Sequence, residues 1–406
     1  MTERTGSADR PAADEHEGLR QDILARTAGL HPLVEKYAAQ GEEMRRIPNE
    51  VVNALTEAGA FRLLQPRRFG GAEAGLTELV DMSSDLAHAD GSTSWVTMII
   101  AVTNWLACLF PDKAQAEVFG VDPDAKVAGA AAPTGTGRRT EGGWIVSGRW
   151  PYSSGSWHAT WAVVGVLLLD DDQQVTDQTL ALIPTDELIV EDTWFNSGMR
   201  ATGSNTLSGQ DIFVPAHRVL SVPRAAEGDR PATASRQGLY SAAFGPMLSV
   251  CLAAPVLGLG EAALQWTIQQ AAVKPLSFTV HGRQADSVGV QNLIGRAALR
   301  LRSARLHLRD VAAEVDTAAE EGRSLTYGER GRIKAQTAHA VEESLAAIDT
   351  LLTVHGAGAF ADASPLQRMW RDANAAARHA GLNPAVAQEV YGKHLLGVDE
   401  TVSLMV

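Results

Sequence analysis

Between Val290 and Ala318 the apolar residues Val290, Ile294, Ala297, Leu301, Ala304, Leu308, Val311, Val315 and Ala318 recur at alternating steps of four and three. Such a heptad keeps one apolar stripe on one side of a helix over its whole length. Short elements cannot bury a stripe this long, so the chain must supply other long helices to cover it. One is expected at about Glu329–Val354, where Ile333, Ala340, Leu345, Ile348 and Leu352 are apolar, and a third over the segment after Pro365. Proline is tolerated in the first turn, where its missing N–H has no helical partner to lose. Long antiparallel helices with short connections form a four-helix bundle, here assigned to residues 234–406.

Ahead of the bundle the texture changes twice. Residues 20–122 read as a helical domain. Pro48 precedes an apolar pattern at Val51, Leu55 and Ala58, and Asp90-Gly91-Ser92 is a turn and N-cap cluster between Leu76–His88 and Ser94–Phe110. Residues 123–233 read as a small β domain. Trp144–Gly148, Trp161–Leu169, Thr179–Ile183 and Asp211–Val214 are β-rich runs divided by turn residues, and Ala225–Ser235 reads as a loop at the exit. Residues 1–19 are polar, lack the apolar core of a signal peptide, and are expected to be a disordered tail.

Composition mainly excludes. A net charge of -13 over 406 residues argues against non-specific binding to nucleic acid or an anionic membrane. The apolar runs Val96–Ala107 and Leu248–Leu259 are too short and too interrupted to span a membrane. Cys108 and Cys251 each lie inside an apolar run, which suits reduced core residues of a cytoplasmic protein and offers no metal cluster. No Gly-x-Gly-x-x-Gly follows a strand, so no nicotinamide-binding unit is visible.

Several short motifs have chemical potential. Arg149–Ser156 ends in small hydroxyl residues and glycine flanked by aromatics, which can stack on a planar ring and reach its heteroatoms. Taken alone, the same run reads as a strand-to-turn transition with Trp150 and Tyr152 in the core. Ala132-Pro133-Thr134-Gly135 is a common turn. Arg283, just before the long helix, carries a planar fork suited to phosphate, or is an exposed loop arginine. His355-Gly356-Ala357-Gly358 lets the backbone approach a bound group closely.

The stretch SPLQRMWRDANAAARHAGLNPAVAQEVYGKHLLG, Ser364–Gly397, resembles the C-terminal end of acyl-CoA dehydrogenase-like flavoproteins. Trp194–Ser204 resembles that family's Gly-Met-Arg-x-Thr-Gly-Ser hairpin, where Thr202 and Ser204 border the flavin. The resemblance runs from about residue 20 to 400. It implies the acyl-CoA dehydrogenase fold: mainly α with a small central β domain, an N-terminal helical domain, a β-barrel-like middle domain and a C-terminal four-helix bundle. In the dehydrogenases, a pair like Arg371-Asp372 is followed about nine residues on by a glutamate base. Here that place reads Arg378-His379-Ala380-Gly381, with no carboxylate. The chain is therefore more similar to the two-component hydroxylases of the same fold.

That branch implies a reduced-flavin-dependent monooxygenase. It inserts one oxygen atom from O2 into a small molecule through a flavin C4a-hydroperoxide and draws reduced FAD, or alternatively FMN, from a separate reductase. Carried over residue by residue, His379 and Ser154 are the catalytic candidates. Tyr152, Ser153, Ser154, Arg283, His355, Gly356 and Gly358 are the cofactor candidates, the last four reaching across a subunit boundary in a homodimer or homotetramer. Thr103, Trp105, Ala132 and Thr134 are the substrate-side candidates. Phenol hydroxylases of the branch often carry Val-His-Asn-Trp, whose histidine holds the phenol oxygen; this chain has Val102-Thr103-Asn104-Trp105. That departure shifts the expectation away from a simple phenol and toward an apolar, indole-like or amino-sugar substrate; the overall expectation is an electron-rich aromatic or indole-like small molecule. The rivals are N-oxygenation of an amine or amino sugar, and an acyl-CoA dehydrogenase proper with its base on another helix.

Overall fold

The computed structural model describes residues 10–231, 233, 238–403 and 406, with side chains from Glu17 onward. The expected tail is partly corrected: residues 1–9 lie outside the described set, while Arg10–Ala28 is one helix. The heptad forms a 33-residue helix, Val288–Glu320, in which eight of the nine stripe residues are buried and Ile294 is half-buried. It packs along Tyr327–His355, and both pack on Ala253–Ala271. Phe244–Ala271 is long and apolar enough to cross a membrane by composition, but 83% of its most apolar window is buried inside the fold.

The helix expected after Pro365 is not continuous. Pro365–Ala376 ends, a short 3-10 turn covers Ala380–Leu382, and a new helix runs Pro384–Leu396. Pro384 cannot donate to an upstream carbonyl, and the Asn383 side chain caps the new helix by accepting from the N–H groups of Ala385 and Val386. His379 therefore sits on extended backbone in the break, not on a helix face.

The middle domain is a seven-stranded mixed sheet: β1 Val127–Thr140, β2 Gly143–Ser153, β3 Trp161–Leu169, β4 Val175–Pro184, β5 Ile189–Glu191, β6 Asn205–Pro215 and β7 Val219–Ser221. Its order is β5-β6-β2-β1-β3-β4-β7, with β1 and β3 parallel and the other neighbours antiparallel. The ladder ends in two different edge strands, so the barrel-like domain is an open sheet. Sequence reasoning missed β1 because its glycine, alanine and proline carry no apolar alternation. Its register against β3 slips between Ala130 and Gly135, so Ala131–Thr134 bulges outward over Gly165, where a Cβ would lie 2.4 Å from the Ala131 and Ala132 carbonyl oxygens. A short helix, Val222–Ala226, runs into the start of the loop expected at Ala225–Ser235, and residues 232 and 234–235 of that loop fall outside the described set.

The sheet is tied to the N-terminal helices by the Gly91–Ala107 helix. Buried Asn104 donates to the Phe61 and Ala125 carbonyls and accepts from the Val127 N–H. The Thr103 hydroxyl donates to the carbonyls of Val127 and Ile99. These bonds fix the helix against β1 and so set where its first turns meet the end of β2.

Candidate active site

Four segments far apart in sequence converge at the end of β2. The first is the start of the Gly91–Ala107 helix. Asp90 caps it, its carboxylate accepting from the Thr93 N–H at 2.8 Å, and this fixes buried Trp95 one turn later. The second is the end of β2, where the Tyr152 backbone is left-handed (φ 65°) and Gly155 (φ 72°) turns the chain away. Ser153 turns inward and donates to the Trp150 carbonyl, while Ser154 faces the indole. The third is the Met199–Ser204 turn, and the fourth is the break holding His379.

Side chains from these segments meet in one connected wall. The Trp95 Nε1–H donates to Ser154 Oγ at 3.1 Å. Ser154 Oγ lies 2.7 Å from Ser204 Oγ, which lies 2.6 Å from Thr202 Oγ1, and Thr202 donates to the Met199 carbonyl at 2.8 Å. The His379 ring packs on the Trp95 ring at 5.8 Å between centroids. Solvent reaches His379, yet protein crowds its ring enough that burial, helped by the charge of Lys334, holds its pKa below the ordinary imidazole value. Its Nδ1 accepts the Gly381 N–H at 3.1 Å, so the neutral ring carries its proton on Nε2, the nitrogen left to face a bound molecule.

Two carboxylates stand behind this wall and do not enter it. Asp372 is buried and accepts the Met199 N–H at 2.6 Å. Burial, reinforced by nearby Asp90, raises its pKa to about 7. Asp90 is also buried and raised by burial, and it is committed to Thr93. Neither offers a free carboxylate to a substrate carbon, as a dehydrogenase base must.

The sequence-predicted residues divide by place. Ser154 and His379 belong to the wall; Ser153 supports it from behind. Tyr152 is not a core residue but an exposed ring, edge-on to Trp194 at 6.2 Å. Ala132 and Thr134 lie on the exposed bulge, with the Thr134 hydroxyl bonded to the Arg149 carbonyl. Thr103 and Trp105 are not brought to the wall as polar contacts. The Thr103 hydroxyl is committed to backbone carbonyls, and Trp105 is fully buried with its N–H on the Leu239 carbonyl. Trp95, which touches both His379 and Ser154, was missed; the only sequence signal for it was the cap cluster four residues upstream.

Arg283, His355, Gly356 and Gly358 form a second group. Gln284, next to Arg283, donates to the Val354 carbonyl at 2.8 Å and joins the two segments. Lys274 Nζ donates to the His355 carbonyl at 2.6 Å, and the His355 ring packs on Trp266. Arg283 lies in the open, paired with Asp286. Gly356 has φ 79° and empty space where a Cβ would point. Two cavities among the described residues, one bounded by Cys108, Arg230 and Tyr240 and one by Arg45, Arg46 and Trp157, include neither group.

Residues 14–117 match the acyl-CoA dehydrogenase N-terminal domain and residues 250–384 the acyl-CoA dehydrogenase C-terminal domain. The chain is 33% identical over 379 residues to the flavin-dependent monooxygenase oxygenase subunit HsaA of Mycobacterium tuberculosis, covering 93% of this chain and 96% of that one. It is 32% identical to the oxygenase component of the FADH(2)-dependent resorcinol hydroxylase of a Rhizobium species, over 93% of this chain and 94% of that one. Among solved structures, XiaF from a Streptomyces species, in complex with FADH2 and glycerol, superposes with a TM-score of 0.91 at 36% identity, over 97% of this chain and 99% of that one. The chain belongs to the flavin-dependent monooxygenases built on the acyl-CoA dehydrogenase fold. As a flavin-dependent monooxygenase it uses reduced flavin and acts on a small-molecule substrate.

The oxygenase's own residues fit a flavin. Indole, imidazole and hydroxyl groups converge beside an exposed tyrosine, which suits a planar ring rich in heteroatoms. The second group offers cations and open glycine backbone. His355 Nδ1 and Gln284 Oε1 are buried there without a hydrogen-bond partner, as expected of a surface awaiting a polar ligand.

Proposed function

We propose that the chain is the oxygenase of a two-component system that hydroxylates an electron-rich aromatic or indole-like small molecule, using FADH2 delivered by diffusion in the cytoplasm. The observation that carries this reading is the Trp95–Ser154–His379 wall, which holds hydroxyl, indole and neutral imidazole together while both nearby carboxylates stay tied to backbone N–H groups. Reduced flavin, when bound, supplies the activation of O2 and the transferable oxygen atom. Ser154 and the backbone around Ser153 would hold the edge of its ring, Tyr152 would cover it, and His379 would present Nε2–H toward the reacting oxygen or the substrate. Burial keeps that imidazole neutral at neutral pH. Ala132 and Thr134, on the bulge, line the substrate side.

Thr103 supports the substrate class. A histidine at this position would present a polar nitrogen to a phenol oxygen, but the threonine hydroxyl turns back onto Ile99 and Val127. The resorcinol hydroxylase shows that relatives act on aromatics; the missing donor favours a ring recognised by shape and stacking. Arg283, Lys274 and the His355–Gly358 segment are assigned to the diphosphate and adenosine end of FAD from a neighbouring subunit, in a homodimer or homotetramer. The test is turnover under 18O2 with a general flavin reductase, NADH and FAD, against a panel of indoles, phenols, amino sugars and acyl thioesters. One 18O atom in an indole or other aromatic product supports the reading. Oxygen on an amino-sugar nitrogen alone, or oxidation of a thioester without oxygen uptake into product, overturns it.

A further inference from the structure

A cavity of about 200 Å³ is bounded by Met44, Arg45, Arg46, Trp157 and Asp192. Its aromatic side is fixed by Gly203. That residue has φ 51°, and a Cβ there would lie 2.9 Å from Trp157 Cδ1 and 3.1 Å from the Arg45 carbonyl oxygen. One edge of the indole therefore rests on bare backbone. The Ser156 hydroxyl donates to the Gly203 carbonyl at 3.3 Å and ties the two turns together. With that edge packed, the rest of the ring stays open to solvent, and Trp157 is 42% exposed.

The charges around the cavity do not cancel. Asp192 holds Arg45 through both carboxylate oxygens, at 2.6 and 2.7 Å, and the Arg45 guanidinium lies over the Phe195 ring at 3.9 Å. That pair is complete in itself. Arg46 lines the same cavity, is exposed, and its side chain has neither a hydrogen bond nor an ion pair among the described residues. Of the neighbouring carboxylates, Glu42 is held by Arg371, and Glu43 is exposed without lining the cavity. One unmatched guanidinium thus stands beside an open, firmly seated indole.

We propose that this cavity binds a small aromatic carboxylate, with its ring against Trp157 and its carboxylate in the fork of Arg46. Indole offers a wide face for stacking. The planar guanidinium matches a carboxylate through two parallel N–H bonds. The volume falls below the roughly 300–1,000 Å³ of sites for drug-sized ligands, so the occupant has one or two rings and is not a dinucleotide. The site is separate from the wall and does not depend on the assignment of Ser154 to flavin.

The test is calorimetric titration of the full-length protein with 2-naphthoate and with its neutral counterpart 2-naphthalenemethanol, with and without saturating FAD. Wild type should bind the acid equally in both conditions and about tenfold more tightly than the alcohol. Arg46→Ala should erase that difference by weakening the acid alone. Arg46 is exposed and unpaired, so this change leaves the fold intact. Trp157→Leu should weaken both compounds, whereas Trp157→Phe, which keeps a ring to stack on, should stay near wild type. Acid binding that survives Arg46→Ala unchanged but is lost in His379→Ala would put the acid at the wall; the proposal then fails and the proposed function stands. Equal binding of acid and alcohol, or no binding by wild type at millimolar concentration, overturns it outright.

Discussion

The wall around Ser154 and the segment around Arg283 are both proposed here to meet flavin, yet they are built in opposite ways. In the wall, polar groups of four segments hydrogen-bond to one another, and His379 Nε2 is left to face outward. Around Arg283 the bonds are unfinished: its side chain is 60% exposed and paired with its neighbour Asp286, and His355 Nδ1 and Gln284 Oε1 have no partner among the described residues. A single chain thus completes the surface that must control chemistry and leaves open the surface that must grip a ligand. Buried polar networks with every member satisfied are rigid and specific, whereas partner-seeking groups gain most from what binds them.

The comparison predicts where substitutions will act. The largest effect belongs to the wall's outward nitrogen. His379→Ala should lower kcat by roughly 10² to 10⁴-fold with little change in melting temperature. In wild type, activity should fall as acid protonates the ring, below the ordinary histidine range, because the protonated ring must give up the Gly381 N–H bond. A kcat–pH profile for both proteins checks this.

Asp372 tests the wall's support. Burial lifts its pKa from 3.8 to about 7, so the folded chain holds a proton that the unfolded chain has released. Its contribution to stability is therefore full below about pH 4 and is lost as pH rises through about 7, a span of up to about 4 kcal/mol. Asp372→Asn keeps an acceptor for the Met199 N–H and carries no charge, and should flatten that part of the profile. Urea unfolding at several pH values between 5 and 8 measures it.

The open segment should respond in affinity alone. Arg283→Ala should weaken FAD binding about tenfold and leave FMN binding unchanged, because only the dinucleotide reaches it. Equal loss for both flavins would move Arg283 to the ring end and erase the contrast. The smallest effect is at the break: Asn383→Ala removes a helix cap worth about 1 kcal/mol and should lower activity only slightly through a less firmly held His379.

Much of this architecture is legible from residue order. The heptad in Val288–Glu320 and the capped start at Asp90 are local patterns, and local patterns survive folding. The strand β1 was not, because its ladder partners supply what its own glycine-rich sequence lacks. His379, Ser154, Thr202 and Ser204 were legible through the family's motifs, but Trp95 was not: it comes from a segment that only the docking of the Gly91–Ala107 helix on the sheet brings to them. The Thr103 hydroxyl shows the reverse case, a residue marked by its motif position and withdrawn from the site by backbone carbonyls within reach.

The central claim is that this wall sustains oxygen activation by reduced flavin. The direct measurement is rapid mixing of the anaerobic protein, loaded with FADH2, against oxygenated buffer, followed by absorbance without any substrate. A transient band distinct from both reduced and oxidised flavin, long-lived in wild type and shortened in Ser154→Ala, is the predicted result. Direct conversion of reduced to oxidised flavin at the rate seen in free solution would contradict it.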